Sequence, residues 1–304
     1  MLANDILFRC SSLGKIMTEA RGDTNEEKYQ KLFNSYNDAI AKYNAIANTG
    51  TKTAIKAAQR IDKLYYDMHE AMKKRNDITL SETCKSYLLE VYIKEKYGRE
   101  KDIENRYLTK GLMVEEDSLT LYSRIKRKYF TKNENRYSND FISGMPDAYD
   151  GNTIAESETI IDIKSSWDIF TFHKADNEEL NENYYWQMQG YMALTGINNA
   201  RLVYCLIDTP ETILNDEQRR LAWKMGTISD ESELALEAAE ALRLKLTYLD
   251  IPLEERYFEI EIPKDEDAIK SIYLRVQACR DYINTNLFGK YEARAAKKNQ
   301  NAEA

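Results

Sequence analysis

In residues 25–48 and 51–76, spaced Tyr, Leu, Ile and Met stand among Lys, Glu, Ala and Asn, a pattern that predicts two helices. They meet at Asn48-Thr49-Gly50-Thr51, where Gly50 is a stop signal, and so short a connection implies a helical hairpin. A third helix is expected from Thr79, which has capping-box spacing to Glu82, through Leu88 and Tyr92 to Tyr97, with Gly98 as its stop. A fourth covers Tyr107 to Tyr122. The pattern then changes. Arg136 to Asp150 and Ser157 to Ser166 are short extended runs split by Asp150-Gly151-Asn152, which predicts an antiparallel hairpin. A helix over Leu180 to Leu194 ends at Thr195-Gly196. Arg201 to Asp208 is almost wholly apolar, as a buried central strand is. Residues 211–249 read as helical, Tyr257 to Ile262 as a last strand and 264–285 as a last helix. Ile6 to Met17 reads as a strand or turn leading into a helix, and the small, charged tail from Ala293 to Ala304 as disordered. The order predicts a mixed α/β (α+β) fold, with a central mixed sheet in the middle of the chain and helices flanking it.

Composition narrows the chemistry. The 304 residues hold 43% hydrophobic and 31% charged residues with only 11 Gly and 4 Pro, which excludes collagenous and Pro/Gly-rich disordered chains. No apolar run approaches the ~20 residues of a membrane span. Met1 to Met17 lacks a basic stretch followed by an apolar one, so no secretory leader is expected. Cys10, Cys84, Cys205 and Cys279 lie far apart without a CxxC, which argues against disulfides, zinc ribbons and a clustered iron–sulfur site and for a reducing cytoplasm. Two histidines leave little room for His-based catalysis or His-rich metal sites. The net charge of −8 argues against a general nucleic-acid coat but permits a local basic groove.

The chemistry concentrates in the predicted hairpin. Pro146-Asp147 is followed by Asp162-Ile163-Lys164. Alternation places Ile160, Asp162 and Lys164 on one strand face and Ile161, Ile163 and Ser165 on the other, with Asp162 and Lys164 roughly 7 Å apart. If Asp147 faces the same side, two carboxylates converge as a hard divalent cation requires. The adjacent Lys would orient or deprotonate a water or hold a phosphate as a point charge. The pattern equally describes a solvated strand with an Asp–Lys pair at its rim.

Through Gly144-Met-Pro-Asp147 and Ile161-Asp162-Ile-Lys164 the chain resembles the PD-(D/E)XK nucleases, in particular their RecB-like, lambda-exonuclease (YqaJ-type) branch. Lys110-Gly-Leu-Met-Val-Glu115 upstream resembles that family's helix with Gly four residues before Glu, and Gln187-Met-Gln-Gly-Tyr191 downstream its Q-x-x-x-Y helix. Gln187 and Tyr191 share one helix face. The resemblance covers about residues 107–208, with a looser match at the start. It implies a restriction-endonuclease-like core with added helical segments, and Mg²⁺-dependent (Mn²⁺ substituting) hydrolysis of DNA phosphodiesters from duplex ends. Glu115, Asp147, Asp162 and the Ile163 carbonyl would ligate metal, Lys164 would position or activate water, and Gln187 and Tyr191 would brace the site or touch DNA. Glu116 is the alternative helix acid, and the Gly111 spacing favours Glu115.

Cys10-Ser11-Ser12-Leu-Gly-Lys15 resembles the segment that holds a 5′-phosphate in the lambda-type enzymes, with Ser11 aligned best, Ser12 second and Lys15 or Arg9 as the nearby cation. The family's upstream Arg has no counterpart, since Asn4 stands near that position. An ordinary N-cap Ser is the other reading. Arg124, Lys126, Arg127, Lys128 and Lys132, interleaved with Tyr129 and Phe130, form the candidate basic patch for the DNA backbone; a solvated helix end is the other reading. The implied organisation is a segment 1–24 contributing to the DNA-end site, a hairpin insertion 25–78, a nuclease core 79–292 with a helical insertion at about 211–249, and the tail 293–304. The function expected is a phage-type recombination or repair exonuclease in the cytoplasm, acting on DNA and off the membrane. A single-strand annealing protein and further copies of the chain are its candidate partners. A structure-specific or nicking endonuclease, or a DNA-end-binding protein with a decayed site, are the alternatives.

Overall fold

The computed structural model describes residues 3–101, 105–226 and 232–290. The expected tail from Ala293 and part of the 211–249 insertion lie outside the described residues. The chain divides into two compact units. A helical unit comprises Met1–Asn4, Lys15–Gly98 and Leu274–Ala304, and a sheet unit comprises Asp5–Gly14 and Arg99–Tyr273.

In the helical unit, α2 (Asn25–Asn44) and α3 (Lys52–Lys74) form the predicted hairpin, following the short α1 (Leu13–Met17) that begins in the sheet unit. Thr24 caps α2 with a full capping box, Gly50 takes the left-handed φ of 59° between the helices, and Thr51 caps α3. Tyr36 of α2 packs against Tyr65 of α3 across the seam, and Tyr65 also meets His69 one turn along its own helix. Helix α4 (Glu82–Tyr97) starts two residues later than the capping-box reading places it. Ser81 is the cap, its Oγ accepting the Cys84 N–H at 3.0 Å, which makes Glu82 the first helical residue and leaves Thr79 outside. Leu88 and Tyr92 of α4 are buried, Tyr92 packs edge-on against Phe288, and the Cys84 and Cys279 sulfurs lie 3.6 Å apart as free thiols.

The sheet unit holds two mixed sheets. The larger has the order β4 (Ala148–Tyr149), β5 (Thr159–Ser165), β6 (Asn199–Cys205), β7 (Tyr257–Pro263); β4–β5 and β6–β7 are antiparallel and β5–β6 parallel. The predicted β4–β5 hairpin and the buried central strand are therefore present, and the mixed α/β class is borne out. The run 136–150 does not pair as one strand. Only its end joins β5, while β3 (Ile142–Gly144) pairs parallel with β1 (Phe8–Arg9) and antiparallel with β2 (Tyr137–Ser138). The predicted fourth helix is two, α5 (Arg106–Met113) and α6 (Glu115–Lys126), broken at Val114 (φ −106°, ψ 12°). Val114 is buried, and Glu115, Glu116 and Asp117 fill the first turn of α6, where negative charge favours a new helix start. Helix α7 (Ile169–Asn177), capped by Asp168, has no counterpart in the sequence reading.

Helix α8 (Glu182–Thr195) follows the predicted span and ends at Gly196 with φ 77°. Helices α9 (Glu211–Lys224) and α10 (Glu233–Leu246) pack together, and α11 (Glu266–Tyr282) leads out of the unit. One face of the larger sheet buries Ile161, Ile163, Val203 and Cys205 against Leu119 and Tyr122 of α6. The other carries Ile160, Asp162 and Lys164, as strand alternation requires.

Candidate active site

Pro146-Asp147 joins β3 to β4, and a buried asparagine fixes that junction. Asn133 Nδ2 donates to the Pro146 and Asn135 carbonyls at 2.8 and 3.0 Å, its N–H donates to the Asp147 carbonyl at 2.7 Å, and its Oδ1 accepts the Asn135 N–H at 3.1 Å. With the loop held, Asp147 Oδ2 reaches β5 and accepts the Ile163 N–H at 2.7 Å. Burial, together with the neighbouring Asp162 charge, pushes the Asp147 carboxyl well above the ordinary carboxylate range, against the pull of the Ile163 N–H and Lys164.

Asp162 is 1% exposed. Its Oδ1 accepts from Gln187 Nε2 at 3.2 Å, and the same amide donates to the Tyr191 hydroxyl at 2.9 Å. Gln187 and Tyr191 thus meet across one turn of α8, on which Gln187 through Met192 are all buried. Burial and then the Asp162 charge keep the Tyr191 hydroxyl protonated far above the ordinary tyrosine range. Asp162 Oδ2 faces Lys164 Nζ at 2.6 Å in an ion pair, yet has no hydrogen-bond partner of sound geometry. Burial opposes the charge on Lys164; the Asp162 carboxylate outweighs it and raises the lysine above its ordinary range. Lys164 is therefore an ammonium, with 23% of its side chain open to the cleft and its Nζ 4.7 Å from the Tyr184 ring centre.

Asp147, Asp162, Ile163, Lys164, Gln187 and Tyr191 line one cleft of about 620 Å³, and Glu115 and Ser11 line it with them. Glu116 lines a different cavity. Among the described residues no three acidic, histidine or cysteine side chains are gathered into a metal-binding group. Glu115 turns instead to Lys132 at 3.0 Å and Asp162 to Lys164, so each carboxylate holds a lysine where a cation's charge would sit. The donor chemistry nevertheless fits a hard divalent ion. Every candidate ligand is an oxygen, buried Asp162 Oδ2 has only the Lys164 ammonium opposite it, and burial together with the Asp162 charge raises Asp147, as two carboxylates brought together without a cation between them require.

The N-terminal segment reaches the cleft through close packing. A Cβ on Gly190 would lie 2.6 Å from Leu13 Cδ1 and 2.9 Å from Cys10 Sγ, and one on Gly144 would lie 2.6 Å from Tyr191 Cε1 and 2.7 Å from Cys10 Sγ. The two glycines let Cys10–Ser12 wedge between β3 and α8, leaving Ser11 exposed in the cleft. Ser12 is half-buried and does not line it, and Lys15 falls in the helical unit with its Nζ 5.0 Å from the Tyr87 ring centre.

The basic cluster is only partly free. Lys126 is paired with Glu259 at 2.6 Å. Arg124, Arg127, Lys128 and Lys132 line a cavity of about 910 Å³ together with Tyr129, which is 84% exposed. Arg127 ends α6 with a left-handed φ of 51°, an uncommon position for a residue other than Gly or Asn. Sequence reasoning missed Asn133, which reads as one more polar loop residue, and Lys110, which is wholly buried and donates to the Trp167 carbonyl at 2.7 Å.

A solved structure shares this fold. A phage-related exonuclease from Haemophilus somnus 129PT superposes with a TM-score of 0.58 at 24% identity, covering 94% of this chain and 97% of that one. An alkaline exonuclease (LHK-Exo) from Laribacter hongkongensis gives a TM-score of 0.49 at 17% identity over 73% of this chain and 89% of that one, and LHK-Exo has also been solved in complex with dAMP. The first likeness bears out, at the level of fold, the nuclease resemblance carried by the sequence motifs. No protein-family model and no curated protein matches the sequence.

Proposed function

We propose that the chain is a divalent-metal-dependent deoxyribonuclease that hydrolyses phosphodiester bonds from duplex DNA ends. The observation that carries this reading is the convergence of Asp147, Asp162 and Lys164 in one cleft, with Gln187 and Tyr191 bracing Asp162 from behind. The phage-related exonuclease that shares the fold supports it.

Glu115, Asp147, Asp162 and the Ile163 carbonyl would hold Mg²⁺ or Mn²⁺, which supplies Lewis-acid activation of water and neutralises charge on the leaving oxygen. Lys164, held protonated by Asp162, donates rather than accepts: it orients the attacking water or a phosphoryl oxygen and adds a positive charge as the phosphorane-like charge grows. Water's oxygen bonds to phosphorus, the bond from phosphorus to the leaving sugar oxygen breaks, and that oxygen takes a proton. Gln187 keeps Asp162 aimed by sharing its amide between Asp162 and the protonated Tyr191. Ser11, exposed in the same cleft, is placed to contact a terminal 5′-phosphate, and Arg124, Arg127 and Lys128 to follow the backbone outside it. Resected ends suit a single-strand annealing partner.

The test is cleavage of linear duplex, nicked circles and closed circles, with and without Mg²⁺ and with 5′-phosphoryl or 5′-hydroxyl ends. The parent should degrade linear duplex only with the cation and prefer the phosphorylated end. Lys164→Ala should keep its fold and DNA binding but lose on the order of 10²–10³ in cleavage rate. Near-normal cleavage by that variant removes Lys164 from the mechanism, and closed circles cut as fast as linear duplex would replace the exonuclease by an endonuclease.

A further inference from the structure

Helix α3 buries one face and leaves the opposite one charged. Ala54 and Met68 are buried and Ala57, Ala58, Ile61 and Leu64 half-buried, all on the side that forms the seam with α2. Lys52, Lys56, Arg60 and Lys63 recur at steps of four, four and three, so they fall on the opposite face within an arc of about 80°. All four are exposed, and among the described residues none of the four is in a side-chain ion pair.

A row of like charges at this spacing does not serve the helix. Cations one turn apart repel. Lys52 and Lys56 also stand at the N-terminal end, where the helix dipole favours acids, and α3 has no acid in its first turn. Acids begin at Asp62, and Glu70 is taken by Lys73. By contrast α2 places Glu26 and Glu27 in its first turn, as helix stability asks. In a chain of net charge −8, four unpaired cations in a line are a local reversal of sign.

We infer that this face of α3 is a second DNA-contact surface, taking the sugar–phosphate backbone of duplex DNA without reading sequence. The row from Lys52 to Lys63 spans about 16 Å along the helix. One strand of a duplex carries a phosphate every ~3.4 Å of axis, so the row faces roughly five phosphates. Exposed lysines and an arginine on a helix packed against its neighbour through Tyr36 and Tyr65 are suited to such backbone positioning. The inference rests on duplex DNA being the substrate, as proposed above.

The experiment compares the parent with the four-fold variant Lys52→Gln, Lys56→Gln, Arg60→Gln, Lys63→Gln, whose changes are all on exposed positions. Affinity for a fluorescent duplex is measured without divalent cation over a salt series, and cleavage of a small phosphodiester, bis(p-nitrophenyl) phosphate, is measured with Mn²⁺. The variant should bind duplex more weakly, with a log K against log salt slope shallower by about 2 to 4, while hydrolysing the small ester at the parental rate. Equal affinity and slope in parent and variant, with the parent binding and cleaving DNA, overturns the inference and leaves the nuclease reading intact. A parent that neither binds nor cleaves DNA overturns the nuclease reading and this inference with it. Unchanged DNA binding with lost binding to a fluorescent poly-glutamate peptide would assign the face to an acidic protein segment and overturn the DNA assignment.

Discussion

Two lysines of the sheet unit show how one residue type is shifted in opposite directions by its partner. Lys164 has a carboxylate at 2.6 Å and stays charged. Lys110, wholly buried, has the Trp167 carbonyl at 2.7 Å and the Trp167 and Tyr248 rings at 5.8 Å, but no contacting carboxylate. Burial pushes it down to about 8, only partly offset by the charges of Asp168 and Asp208. In the unfolded chain the same lysine titrates near its ordinary 10.5. Between those values the unfolded state binds more protons, so this group makes stability rise with pH across the window. The cost of burying the ammonium is present in full below about pH 8 and is gone above about 10.5. Lys110→Met removes the titration. Relative to the parent, the variant should therefore lose stability as pH rises through that window, by up to about 3 kcal/mol. Chemical denaturation of both proteins at matched pH values reads it, and a difference that stays flat would mean that Lys110 titrates as an exposed lysine does.

At the scale of elements, the site is an agreement between a hairpin, β4–β5, and one enclosed helix, α8. This much was legible because each motif is local: Asp162 and Lys164 share a strand face by a step of two, and Gln187 and Tyr191 share a helix face by a step of four. What was not legible is non-local or unmarked. The pairing of β1 with β3 involves two residues on each strand and leaves no periodicity to read. The break at Val114 has neither Gly nor Pro beside it, and only the acids after it signal a new helix start. Ser81 and Thr79 are both cap residue types two positions apart, and the sequence alone does not say which of them caps α4. The wedge of Cys10 between Gly144 and Gly190 joins three elements far apart in sequence, and it yields a test. Gly144→Ala would press a methyl against the Tyr191 ring and the Cys10 sulfur, both buried. Overpacking of this kind costs about 1–3 kcal/mol. Displacing Tyr191 also loosens Gln187 from Asp162, so cleavage should fall while DNA affinity holds. Adding Cys10→Ala should recover part of the stability but not the rate, since the Tyr191 clash remains. Full activity in Gly144→Ala would show that Tyr191 does not support Asp162.

At the scale of the whole molecule, the proposed function asks a chain of net charge −8 to hold a polyanion. On that proposal the opposition is resolved by range. Attraction would come from cations within contact distance of phosphates, such as Arg124, Arg127 and Lys128 around their cavity, whereas repulsion would come from the summed charge acting over the Debye length. That length is about 30 Å at 0.01 M salt, comparable to a domain, and about 8 Å at 0.15 M, when only the local patch is felt. Two salt effects therefore oppose each other at the dilute end. Screening of the overall repulsion favours binding while counterion release disfavours it. The plot of log affinity against log salt should be shallow below roughly 0.02 M and steepen above 0.1 M, where counterion release acts alone with a slope of about −0.9 per phosphate contact. Arg124→Gln, Arg127→Gln and Lys128→Gln together should flatten the steep part by roughly 2 to 3 and leave the curvature at low salt, which belongs to the rest of the chain. The measurement is anisotropy of a labelled duplex bound by the Lys164→Ala protein, with no divalent cation present. A single straight line over the whole range would show that the net charge has no bearing on binding, and an unchanged slope in the triple variant would place the backbone elsewhere than this cavity.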